Sequence, residues 1–364
     1  MTKTFAIVKF VLLITSSFLG FVCSSDETFN VSLGDIVKIV APASKSSDSA
    51  LPLIKNYIES LGLVANISDN IYSTVDPFYS NTDEFRANDL ISALVDDNVK
   101  VIWCVRGGTG SIRLVPFLEE KLPPVLTHKI FIGYSDITVL HLYLQSKYGW
   151  QTIQGPMADA ISTGRYDLTS ESVVSLEALI FETQDRICLN ATKLNSRINV
   201  TRIESKVVGG NAALVEASIG TLWQVNTKGR IFFLEDVGEA AYSIERSLDH
   251  MKQAGIFNDV DAVIFGDFTE TNDELMTVVF DRFAEWASFP VFRVTGMGHG
   301  PVNLPLPFLT PSYINSIDGV TYEFCVDNIQ NQKTTSVISG QANRNLSGLL
   351  AAILTGCYLL INKF

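Results

Sequence analysis

From residue 34 to about residue 155, short apolar runs alternate with longer segments in which apolar residues recur every three or four positions. The runs at 36–41, 100–105, 129–133 and 151–154 read as strands, and the stretches 50–61, 83–95, 111–122 and 136–146 as helices. Each crossover is long enough for a strand–helix–strand unit, so residues 33–165 are expected to fold around a parallel sheet. A helix at 170–181 and a polar tract follow, and 166–199 reads as a connection between domains. Beyond it, strands at 201–208, 230–234 and 262–265 alternate with a helix after Gly209-Gly210-Asn211 and another at 241–254. Residues 200–335 are therefore expected to form a second, mixed α/β domain. The sequence shows no internal repeat, heptad or low-complexity tract.

The two ends depart from this pattern. Residues 1–25 run Met-Thr-Lys, then an apolar stretch from Phe10 to Val22, then Cys23-Ser24-Ser25, the charged, apolar, small-residue order of a secretory signal peptide. Residues 339–364 open on small Ser339 and Gly340, then a polar spacer and an apolar tail of about 16 residues, the layout of a GPI-attachment signal. A short transmembrane anchor is the alternative, although so few residues are marginal for crossing a ~30 Å hydrocarbon core. Asn-X-Ser/Thr sequons begin at Asn30, Asn66, Asn190, Asn199 and Asn345, which fits a eukaryotic secretory route and an extracellular or cell-surface glycoprotein. Outside the two ends the chain keeps Cys104, Cys188 and Cys325, an odd number without metal spacing that leaves room for one bridge.

Composition narrows the function classes. With 47% hydrophobic and 18% charged residues, the chain can bury real cores and is not disordered by default. A net charge of −12 argues against nucleic acid as the partner.

The strongest chemical signal is Lys129-Ile130-Phe131-Ile132-Gly133-Tyr134-Ser135-Asp136, a buried strand that turns sharply through Gly and Ser into a helix. Such an elbow exposes the serine hydroxyl at the sheet's carboxyl edge and aims the following amides at a developing oxyanion. The second glycine of Gly-X-Ser-X-Gly is missing, and the plainer alternative is that Ser135 only caps its helix. A serine nucleophile needs a base, and there are four histidines. His141 and His250 fall within helices and His128 lies just before a core strand, whereas His299 sits in Gly296-Met297-Gly298-His299-Gly300 after a strand at 291–294, where glycines let backbone approach a substrate. A carboxylate to orient the imidazole could be Glu235, Asp236 or Glu239, all at the end of one strand, and composition leaves the three open. Arg106-Gly107-Gly108-Thr109-Gly110 is a second glycine loop, weak evidence alone because a phosphate-loop lysine and a full dinucleotide fingerprint are lacking. No His/Cys/Asp cluster has metal spacing, so no metal is expected.

Taken together the chain resembles the LD-carboxypeptidase family, which includes muramoyl-tetrapeptide carboxypeptidases and microcin C self-immunity proteins. The resemblance spans about residues 33–310 and rests on ordered blocks. The main ones are Trp103-Cys104-Val105-Arg106-Gly107-Gly108-Thr109-Gly110, Gly133-Tyr134-Ser135-Asp136-Ile137-Thr138, Gly155-Pro156-Met157, Gly209-Gly210-Asn211, Leu234-Glu235-Asp236-Val237-Gly238-Glu239, Phe265-Gly266-Asp267-Phe268, and Gly298-His299-Gly300 with Asn303-Leu304-Pro305-Leu306. It implies a Rossmann-like N-terminal domain, a smaller C-terminal domain with the site between them, a homodimer and no cofactor. It places a Ser-Glu-His triad on Ser135, Glu235 and His299, and oxyanion donors at the amides of Gly107 or Gly108 and of Asp136. The implied reaction removes terminal D-alanine from murein tetrapeptides by cleaving an L,D-amide. Two alternatives stand beside it: hydrolysis of peptidyl or aminoacyl nucleotides, and a non-catalytic receptor for murein fragments. Thr109 departs from the family, where an aromatic residue is common, and leaves specificity less defined than chemistry.

Overall fold

The computed structural model describes residues 31–318 and 321–329. The expected signal at 1–25, the anchor at 339–364 and the sequons at Asn30 and Asn345 lie outside them. The first unit alternates β1 (Ile36–Val40), α1 (Ala50–Ser60), β2 (Val64–Ile67), α2 (Asp83–Val95), β3 (Val99–Cys104), α3 (Val115–Lys121), β4 (Ile130–Gly133), α4 (Thr138–Tyr148) and β5 (Thr152–Gln154). The strands lie parallel in the order β5-β4-β3-β1-β2. β3 and β4 read as nearly unbroken apolar runs because the sheet buries both of their faces. β2 escaped the sequence pattern because it is an edge strand whose residues alternate between exposed and half-buried. The start of α2 follows from local chemistry: Thr82 accepts a hydrogen bond from the Phe85 amide at 3.2 Å, and Asp83 and Glu84 occupy the positive first turn.

After α5 (Ala158–Ser162) and α6 (Glu171–Ile180), the chain builds a closed barrel from β6 (Arg186–Lys193), β7 (Arg202–Asn211), β8 (Ile231–Val237), β9 (Ala262–Thr269), β10 (Val291–Gly298), β12 (Pro311–Ser316) and β13 (Thr321–Asp327). Its order is β10-β6-β13-β12-β7-β8-β9, parallel from β7 through β10 and antiparallel elsewhere. Helices α7 (Ala212–Ala217), α8 (Ala241–Gln253) and α9 (Asp273–Trp286) accompany the parallel part. The architecture is thus α/β, a mostly parallel sheet joined to a mixed seven-stranded barrel.

Two expected boundaries need correction. Residues 186–193, expected to lie in the 166–199 connection, form β6 and pair with β13 and β10. That strand shows solvent one polar face, and polarity alone made it look like a linker. Conversely β11 (Leu306–Phe308), expected in the second domain, pairs antiparallel with β5 and completes the first sheet. The chain therefore leaves the barrel at Gly298 and re-enters the first sheet at Leu306, and the crossing carries His299.

Between the units, α4 is buried from Thr138 through Leu144 and packs on β7 and α7. It ends at Gly149, whose φ of 65° closes the helix in the left-handed conformation. A strip of apolar side chains from both units, including Tyr134, Leu140, Val208 and Leu234, forms one continuous core, so the cleft has a fixed floor.

Candidate active site

β4 ends at Gly133, Tyr134 is extended, and Ser135 takes φ 65°. A non-glycine residue in the left-handed region is uncommon and costs on the order of 1 kcal/mol or more, offset only where surrounding structure enforces it. Here Gly133 permits the fold-back, since a Cβ at that position would lie 2.7 Å from Ile137 Cγ2. Below the turn, the buried His141 ring meets the Gly133 carbonyl through Nε2 at 2.9 Å. The capping alternative for Ser135 finds no support: no side-chain hydrogen bond caps the short turn at 135–137 or α4.

The base and its partner come from the ends of β10 and β8, the two barrel strands that flank β9. Glu235 is fully buried, and its Oε2 lies 2.6 Å from His299 Nδ1. Strand alternation explains why Glu235 and not Asp236 makes this contact. Phe233 packs in the core with Ile231, Ile264, Phe292 and Phe324, whereas Leu234 packs on the helix-covered side with Phe232, Val263 and Leu248. Two residues on from each, Glu235 follows Phe233 and Asp236 follows Leu234. Asp236 accordingly accepts from Asn211 Nδ2 at 2.8 Å and from the Ala213 amide at 3.1 Å, anchoring the start of α7. Burial, then the neighbouring Glu235 charge, pushes the Asp236 carboxyl up to about 6. Glu239 is exposed. Register breaks between β8 and β9 at Leu234/Asp236, and between β9 and β10 at Arg293/Gly298, mark bulges that re-aim the strand ends where the pair forms.

The His299 loop is braced on several sides. The Gly298 amide donates to Asn303 Oδ1 at 3.1 Å and the Gly296 amide to Asp267 Oδ2 at 3.0 Å. Gly298, at φ 121°, lies so close to Glu235 that a Cβ there would stand 2.7 Å from Oε2. The Tyr134 ring packs beside the imidazole with centroids 4.8 Å apart. Asp267 and Asn303 fell within blocks recognised in the sequence, but their bracing role was visible only in three dimensions. The other histidines take packing or surface roles: His128 and His141 are buried against backbone carbonyls, and His250 pairs with Glu216 at 2.8 Å on the surface.

Ser135 and His299 line one pocket of about 280 Å³ with Arg106, Gly107, Gly108, Tyr134, Met157, Asp159, Thr163 and Arg165. No direct hydrogen bond joins the Ser135 hydroxyl to the His299 ring; such bonds are commonly long before substrate binds. Gly107 abuts the serine, and a Cβ on it would lie 2.9 Å from Ser135 Cβ. Gly108 has φ 106° and would meet Ser44 Oγ at 2.4 Å. The Asp136 side chain turns away from the pocket to accept from the Ser111 amide at 2.8 Å, and burial pushes its carboxyl up. Asp159 and Arg165 drew no attention in the sequence, because they follow Gly155-Pro156-Met157 in a segment without a chemical motif of its own. Among the described residues, the close grouping Cys188, Glu323 and Cys325 offers no thiolate to a metal, since its sulfurs form a disulfide.

A serine on a strained turn, an imidazole bound by a buried carboxylate, and glycine amides beside them are the parts of a serine-hydrolase site. Residues 37–155 match the family model for the LD-carboxypeptidase N-terminal domain, and residues 204–313 match the model for its C-terminal domain. The chain belongs to the LD-carboxypeptidase family, a family of serine peptidases. A Rickettsia conorii protein with a provisional carboxypeptidase name is 37% identical over 284 residues, 76% of this chain and 87% of that one. The murein tetrapeptide carboxypeptidase of Pseudomonas aeruginosa is 27% identical over 296 residues, 78% of this chain and 94% of that one. In fold, the chain is similar to the crystal structure of muramoyltetrapeptide carboxypeptidase from Oxalobacter formigenes, with a TM-score of 0.69 and 23% identity, covering 81% of this chain and all of that one.

Proposed function

We propose that the chain is a serine carboxypeptidase that cleaves an L,D-amide and releases terminal D-alanine from murein tetrapeptides. The observation that carries this is the pairing of His299 with buried Glu235 in the same pocket as a strained Ser135. His299 takes the Ser135 proton through Nε2 as the hydroxyl oxygen attacks the scissile carbonyl, while Glu235 holds the Nδ1 proton and stabilises the imidazolium. Gly107 or Gly108, with Asp136, would donate amide hydrogens to the tetrahedral oxyanion. The C–N bond then breaks, the imidazolium gives its proton to the departing amine, and water hydrolyses the acyl-serine by the same route in reverse. Ser135→Ala should lower kcat for D-alanine release by about 10⁴-fold or more. An unchanged rate would remove Ser135 from the mechanism. Turnover of an aminoacyl adenylate analogue, with none of the tetrapeptide, would favour the nucleotide-directed alternative. Tetrapeptide binding without turnover or fluorophosphonate labelling would favour the receptor.

We further propose that the protein works outside the cytosol as a glycoprotein acting on foreign murein. Support comes from the Cys188–Cys325 disulfide and from the exposure of Asn66, Asn190 and Asn199, the sequon asparagines among the described residues. Endoglycosidase treatment of the secreted protein should lower its mass; an unmodified mass would count against the proposal.

A further inference from the structure

The pocket holds charges that the triad does not use. Asp159 lines it while only 9% exposed, and forms no ion pair among the described residues. Arg106 and Arg165 line the same pocket and are both exposed. The Asp159 backbone is fixed from behind, its amide donating to the Val105 carbonyl at 3.1 Å next to the glycine loop. Tyr134, packed beside the His299 imidazole, also lines the pocket and is itself buried. The pocket is thus polar, small against the ~300–1,000 Å³ usual for small-molecule sites, and bipolar in charge.

A buried carboxylate without an ion partner is costly and gains from a cation brought in by a ligand. Exposed guanidiniums beside it are suited to bidentate capture of a carboxylate. Burial pushes the Asp159 carboxyl up, while Ser46 and the Arg106 and Arg165 charges oppose that shift, so an arriving ammonium would complete the compensation they begin.

Resting on the carboxypeptidase reading above, we infer that this pocket selects a doubly charged substrate end. Arg106 and Arg165 read the terminal carboxylate of the leaving residue, and Asp159 reads an ammonium on the side chain of the residue that supplies the scissile carbonyl. All three are specificity-determining residues, and none of them moves a proton in the reaction. A peptide whose penultimate residue bears a side-chain amine and whose terminus is a free acid has this charge pattern.

The test uses the full chain and two tetrapeptides ending in D-alanine, one with a free lysine side chain before it and one with that amine acetylated. The wild type should prefer the free amine by about tenfold or more in kcat/KM. Asp159→Asn should bring that preference close to one, with the change carried by KM rather than kcat. Arg165→Gln should raise KM for the free-acid peptide and narrow its advantage over the same peptide ending in D-alaninamide, and Arg106→Gln should do the same. If the wild type cleaves acetylated and free peptides alike, or Asp159→Asn slows both equally, the inference falls and the carboxypeptidase reading stands. If the wild type releases D-alanine from neither, that reading falls, and the inference with it.

Discussion

At the scale of single residues, the site depends on atoms that are missing as much as on those present. Ser135 can stay at φ 65° because Gly133 has no side chain to strike Ile137, and Gly107 can lie against it because no Cβ intervenes. Gly107→Ala would put a methyl 2.9 Å from Ser135 Cβ, so either the loop or the elbow must move. Displacement of reacting groups by about 1 Å can cost on the order of 100-fold in rate. Gly107→Ala should therefore lower kcat by about 10- to 100-fold with the fold retained by circular dichroism; an unaltered kcat would show that the loop does not touch the reacting geometry. The serine, the glycine loop and the isolated histidine were all legible in the sequence, because each chemistry needs a particular residue type beside a turn. The choice among Glu235, Asp236 and Glu239 was not legible from the residues alone. It depends on which strand face looks into the barrel, and a bulge sits at that point in the ladder.

At the scale of elements, α4 supports the elbow through a titratable group. His141 is buried between the Phe131 and Phe308 rings and binds the Gly133 carbonyl, and burial lowers its imidazole to about 4. An imidazole with a folded pKa near 4 and an unfolded value near 6.5 binds more protons unfolded than folded between those limits. Its contribution to stability is therefore full above about pH 6.5 and is lost as the pH falls toward 4, by roughly 3 kcal/mol at most. His128, lowered to about 4 by burial, acts in the same direction, and Asp236, raised to about 6, in the opposite one. A variant comparison isolates His141. The stability difference between wild type and His141→Gln, from urea melts at pH 7 and pH 4.5, should shift in the variant's favour at the lower pH; a constant difference would mean that His141 does not titrate on unfolding. Most elements of the first unit were readable because buried parallel strands leave continuous apolar runs. β2 and β6 were not, since each leaves one side to solvent and so carries half the apolar signal.

At the scale of the whole molecule, closure of the barrel unites segments distant in sequence. Cys188 on β6 faces Cys325 on β13 across an antiparallel pair, and their disulfide spans 137 residues. Cross-linking so long a loop restricts the unfolded chain, and removing such a bridge commonly costs about 2–4 kcal/mol. The Cys188→Ser/Cys325→Ser double variant should lose stability on that order in urea unfolding. Equal stability would remove the bridge as a structural element, and with it the chemical support for an oxidising compartment. The sequence by itself determined the α/β class, the elbow at Ser135 and the family, since those reside in local periodicity and in residue types at turns. Only the tertiary structure decided that β11 returns to the first sheet, that Glu235 meets His299, and that Asp159 lines one pocket with two arginines. Those relations join strands and loops far apart along the chain, and strand pairing and burial set them, which no local window of residues encodes.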